Sequence, residues 1–106
     1  MLELEELIKG DDRRANGRRR IDMRAKIILP ETAEDIHCFV HEASRSGCSI
    51  SFNDTLEVPD NVTLVIEHLK KPINGKIVWR KAAKLRSRII RAGVKFIWDD
   101  ADQSEQ

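Results

Sequence analysis

The sequence predicts an all-β domain, six short strands closed into a small antiparallel barrel or sandwich. Three observations predict it. Residues 20–29 alternate apolar and polar with period two, as a half-buried strand does. Further short apolar runs follow, separated at regular intervals by turn residues. Helical spacing occurs only at the start, and there is no internal repeat. A chain of 106 residues is one domain by length, with room for a modest core.

The elements can be taken in order. Met1 to Lys9 places Leu2, Leu4, Leu7 and Ile8 among glutamates, which suits a short flanking helix ended by Gly10. Residues 1–11 are thus an N-terminal segment, and residues 12–98 the β domain. Asp11 to Arg19 is a polar loop with an Asn16-Gly17 turn. The first strand, Arg20 to Leu29, puts Ile21, Met23, Ala25 and Ile27 on one face. Pro30 to Glu34 turns the chain into a second strand, Asp35 to Ala43, with Ile36, Cys38 and Val40 facing one way. Ser44 to Gly47 is a turn. The third strand, Cys48 to Phe52, aligns Cys48, Ile50 and Phe52.

After a loop, Asn61 to Ile66 is the fourth strand. Asn74-Gly75 is a strong hairpin signal, but Pro72-Ile73 leaves little strand before it, so this segment reads as a connection. Lys76 to Arg80 is the fifth strand and Lys81 to Ser87 a basic loop or helical turn. Ile89 to Ile97 is the sixth, interrupted by Gly93 at an expected bulge. Residues 99–106 form an acidic tail.

The net charge of +1 conceals segregation. Glutamates and aspartates gather at both ends. Arg13, Arg14, Arg18, Arg19, Arg20, Arg24 and Lys26 crowd the entry to the first strand, and residues 70–91 carry only positive charges. Acidic ends around a basic body point to a local anion site rather than a whole-surface polyanion binder. Cys38 and Cys48 sit in apolar strands. Those strands could pair and allow a disulfide, but free buried thiols in a reducing cytosol are preferred. Met1 to Ile8 is acidic, unlike a secretory leader, and no apolar run reaches the ~20 residues of a membrane span. A cytoplasmic location without membrane insertion is expected.

Catalysis is poorly supported. His37, His41 and His68 share no metal-ligand spacing with the cysteines, so no metal or cofactor is expected. Ser44 and Ser46 lie in no nucleophile elbow, and no phosphate-cradling glycine loop is present. The arginine run keeps three readings: a solvated loop, a nucleic-acid contact driven by counterion release, or a site for a compact anionic nucleotide. No aromatic is interleaved with the arginines as single-strand stacking requires, which argues against nucleic acid. An arginine fork pairs bidentately with phosphate or the guanine O6/N7 edge, so the nucleotide reading stays open beside the solvated loop, which is the usual state of a charge run.

Arg14 and Arg18 in Arg13-Arg14-Ala15-Asn16-Gly17-Arg18 resemble the RxxxR motif of PilZ domains. Glu42-Ala43-Ser44-Arg45-Ser46-Gly47 resembles the second motif of that family, [D/N]xSxxG. Lys76-Ile77-Val78-Trp79-Arg80 resembles the strand ending in V-V-W, and Ala92-Gly93-Val94-Lys95-Phe96 the closing G-V-x-F strand. The resemblance spans residues 12–98 and implies a six-stranded antiparallel β-barrel with a flanking helix that binds cyclic di-GMP.

The ligand contacts it implies are Arg14, Arg18, Glu42, Ser44 and Gly47, with Arg13 and Arg45 as additional ones. It also implies a bacterial signalling receptor acting through a protein effector in motility or exopolysaccharide output. The alternatives are an interaction module that does not bind the nucleotide, or a small nucleic-acid-binding barrel. Glu42 departs from the motif, being one methylene longer than the expected Asp or Asn. Gly93 and Trp79 are expected to serve barrel packing.

Overall fold

The computed structural model describes residues 3–4, 19–29, 31–32, 34–82 and 88–98. They form six strands: β1 (Arg19–Ile28), β2 (Asp35–Ala43), β3 (Gly47–Asn53), β4 (Asn61–Ile66), β5 (Ile73–Ala82) and β6 (Ile89–Phe96). Every pairing is antiparallel, and the order β1-β2-β3-β6-β5-β4 closes on itself through β4 against β1. The closing seam is short, with Ala25 to Ile28 of β1 against Thr63 to Ile66 of β4. The expected flanking helix falls, apart from Glu3 and Leu4, outside the described residues, as does the acidic tail.

Alternation decides what lies inside. Ala25 and Ile27 from β1, Ile36, Cys38 and Val40 from β2, and Cys48, Ile50 and Phe52 from β3 all face the barrel interior. Val62, Leu64 and Ile66 join them from β4, Ile73 and Ile77 from β5, and Ala92, Val94 and Phe96 from β6. Leu4 and Leu69 join the same cluster from outside the strands. Truncating any fully enclosed member, such as Ile50 or Leu64, leaves a cavity that costs about 2–5 kcal/mol.

β5 corrects the reading of Asn74-Gly75 as a connection. The strand begins at Ile73 and runs straight through both residues, with Asn74 opposite Thr63 and Gly75 opposite Val62. Thr63 Oγ1 donates to Asn74 Oδ1 at 2.8 Å across the ladder. Gly75 is glycine because a Cβ there would lie 2.5 Å from Val94 Cγ1. The reversal lies earlier, after Ile66, where His68 takes φ 70° and Leu69 N–H bonds the Ile66 carbonyl at 3.0 Å.

Both cysteines are buried, and neither is in a disulfide. Burial pushes the Cys38 thiol up to about 12, so its thiolate is scarce at neutral pH. Neither should react with a maleimide until the barrel unfolds. Rapid labelling of the native protein, followed by mass spectrometry, would contradict this placement.

Candidate functional site

Pairing places Arg19 and Arg20, the end of the arginine run, beside the second motif. Arg19 stands opposite Ala43 and Arg20 opposite Glu42, so the arginine run enters the barrel against the second motif. Arg13, Arg14 and Arg18 themselves lie outside the described residues.

The second motif spans the end of β2 and its turn into β3. Ser44 is 2% exposed, and its N–H donates to the Gly47 carbonyl at 2.8 Å. Its hydroxyl accepts from Ser46 N–H at 3.2 Å and also lies near Ser46 Oγ and the Gly47 carbonyl. Ser44 therefore shapes the turn from within, and Arg45 is left exposed at its tip. Gly47 does not adopt positive φ. A Cβ there would sit 2.2 Å from the Val94 carbonyl oxygen, so close approach of β6 is what requires glycine.

Three irregularities shape the outer face beside this turn. Ile21 and Asp22 of β1 together oppose one residue of β2, and Asp22 takes φ 46°. His41 of β2 and Val78 of β5 are each an extra residue relative to the neighbouring strand. Such bulges re-aim side chains. They bring Arg20, Glu42, Ser49, Gly93 and Trp79 into one lateral row across five strands. The next row holds Arg24, Phe39, Ser51, Arg91 and Lys81. On the other side, Lys95 stands between Gly47 and Lys76.

Trp79 is not a core residue. It is 39% exposed, and its indole ring lies over Gly93 in the space a side chain would take. Gly93 does serve packing, but of an outward ring. Lys81 Nζ lies 6.0 Å from that ring's centroid. The row thus offers a flat aromatic face, two small residues, a carboxylate and flanking cations. That set can stack a base, pair its polar edge and neutralise a phosphate. Val78-Trp79 was visible as a motif, but its outward direction depends on the β5 bulge, which carries no local signal.

His41 sits between the rows. Its Nε2 lies 2.8 Å from Ser51 Oγ, and its ring is 4.8 Å from that of Phe39. Burial and the nearby Arg91 charge hold its pKa below the ordinary histidine value. Arg20 bonds Asp22 at 2.6 Å.

A separate recess of about 530 Å³ lies near the far end of β1, between Leu29, Leu56, Val58 and Pro59. Glu31 and Glu57 line it, and its Arg80 is bonded to Asp60 at 2.8 Å. Its charge suits no anion. Among the described residues no helix is long and apolar enough to cross a membrane, and no cluster of three or more His, Cys, Asp or Glu could hold a metal.

No curated protein and no solved structure shows a significant match to the chain. The family model described as "PilZ domain" matches residues 12–106, from the arginine run to the C-terminus. That match covers nearly the whole chain and agrees with the closed six-stranded barrel, and the chain belongs to the PilZ domain family.

Proposed function

We propose that this PilZ domain is a cytoplasmic receptor for cyclic di-GMP that relays its occupancy to a protein effector in motility or exopolysaccharide control. The observation that carries the reading is the β1–β2 register. It sets Arg19 and Arg20, which directly follow Arg14 and Arg18 in the run, opposite Ala43 and Glu42. Arg14 and Arg18 contribute bidentate, charge-assisted contacts to guanine or phosphate. Glu42 accepts from a guanine N1–H and N2–H edge. Trp79 offers a stacking face in the same row. The domain supplies binding and no chemistry, so it is read as a receptor and not an enzyme.

A second reading has one observation in its favour. Glu42 is longer than the motif's Asp or Asn, and the Ser44 hydroxyl is engaged inside its own turn. An interaction module without nucleotide would tolerate both. Calorimetric titration with cyclic di-GMP separates the readings, because saturable binding is expected of the receptor alone. Absence of heat, with no rise in melting temperature at high nucleotide, would leave the interaction module. Steeply salt-dependent oligonucleotide binding instead would point to a nucleic-acid barrel.

Glu42→Asp refines the assignment. If Glu42 meets a guanine edge, the shorter acid keeps the charge, sheds rotamer entropy of about 0.5 kcal/mol and tightens binding. A loss of affinity with an unchanged circular dichroism spectrum would show that the site is built around the longer side chain.

A further inference from the structure

We propose that Ser49 and Arg91, with His41 beside them, form a phosphate subsite on the outer face whose occupancy is coupled to uptake of one proton. This rests on the cyclic di-GMP reading and adds to it which residues take a phosphodiester and how pH sets affinity.

Two polar atoms on this face lack partners. Ser49 is 2% exposed, and its hydroxyl has no hydrogen-bond partner among the described residues. The same holds for Arg91 Nε, which is also buried. Serine at position 49 is not demanded by the core, because Cys48 and Ile50 on either side face inward and Ser49 faces out. Native proteins rarely leave a hydroxyl and a guanidinium nitrogen desolvated and unpaired. Ser51 stands directly opposite Arg91, and Ser49 is the next residue on that face of β3. The two orphaned groups are therefore diagonal neighbours. Both can donate to a phosphodiester oxygen, and because both atoms are closed to solvent in the free barrel, its entry requires side chains of this face to move aside.

Charge then assigns a role to His41. The charged groups that act on it are Arg20 and Asp22 from β1, Glu42 from its own strand and Arg91 from β6. From β3 the neutral Ser51 hydroxyl lies 2.8 Å from its Nε2. The two cations and two carboxylates cancel, so the protonation state of His41 decides the sign of the cluster. In the free protein, burial and Arg91 favour the neutral ring. An anion drawn to Arg91 removes that repulsion and attracts the imidazolium, so the His41 pKa is higher in the complex than in the free protein. The linkage has a definite sign. Affinity gains its full increment below the free-state pKa, and loses it as pH rises through the bound-state pKa.

The test is a calorimetric titration with cyclic di-GMP at fixed ionic strength between about pH 5.5 and 8, where neither phosphodiesters nor ordinary carboxylates titrate. The imidazole resonances of His41 are followed by NMR in parallel. Affinity should rise as pH falls, with a slope approaching but not exceeding about tenfold per pH unit. The binding heat should depend on the buffer's ionisation enthalpy. His41→Gln, which keeps a donor toward Ser51, should bind and lose the slope. Arg91→Gln should weaken binding roughly tenfold at the alkaline end of that range, the loss of one charge-assisted contact, and should flatten the pH slope. Tight binding with no pH slope, an unmoved His41 resonance on saturation, or a slope that survives His41→Gln would overturn the subsite. Absence of nucleotide binding at every pH would instead overturn the receptor reading, and the subsite with it.

Discussion

Gly47→Ala should destabilise the barrel by about 3 kcal/mol, the upper end of ordinary overpacking costs. For a domain of this size, that lowers the melting temperature by roughly 12–20 °C. The new Cβ would meet the Val94 carbonyl oxygen at 2.2 Å, the Val94 carbonyl carbon at 3.2 Å and Lys95 Cα at 3.3 Å. All three are backbone atoms of β6, so no side chain can swing aside. Retreat of the turn would strain the Ser44 N–H to Gly47 bond and the Phe96 N–H to Ser46 bond, both 2.8 Å. In a closed barrel that displacement also propagates to the neighbouring seams. A thermal melt decides the matter, and a midpoint within a few degrees of wild type would show that the seam gives more easily than its geometry implies. Gly93→Ala is the control. The nearest atoms to its Cβ would all belong to the indole ring of Trp79, and that ring has solvent to move into. The fold should survive while the tryptophan emission changes.

Much of this architecture was legible because it rests on period two. The inward sets Ile36, Cys38, Val40 and Cys48, Ile50, Phe52 follow from alternation alone, and alternation also separates Ile27 from Lys26. What could not be read depends on register between strands distant in sequence. Asn74-Gly75 carries a strong local turn signal. It is overridden because β5 must pair with β4 and β6 there, where Gly75 lets Val94 approach. The bulges at Asp22, His41 and Val78 have no signature in composition, yet they turn Trp79 outward and set His41 between two arginines.

The same limit applies to the site. Glu42, Ser44, Gly47 and Arg45 could be named from a motif. The motif does not reveal that Gly47 answers a neighbouring backbone, or that Ser44 spends its hydroxyl on its own turn. Ser49 and Arg91 belong to no motif. They emerge only when burial is set against hydrogen bonding.

Replacing Arg14 and Arg18 together by alanine should cost the largest share of nucleotide affinity. Each contact is charge-assisted, about 1.5–3 kcal/mol. If the two act independently, the double variant loses about 3–6 kcal/mol, roughly a hundredfold to ten-thousandfold in Kd. Both residues precede β1, so the melting temperature without nucleotide should stay at the wild-type value. A fall in affinity can then be assigned to the site. Arg14→Lys and Arg18→Lys separate charge from geometry. A lysine restores the positive charge but not the planar fork that grips two acceptors at once. If the site uses arginine as a fork, the lysine variants should recover little of the lost affinity. If it uses arginine only as a cation near a dianionic ligand, they should recover nearly all of it, and the wild-type affinity should fall steeply with added salt. A double alanine variant within about threefold of wild type, less than 1 kcal/mol, would place recognition on the Trp79 row and remove the arginine run from the site.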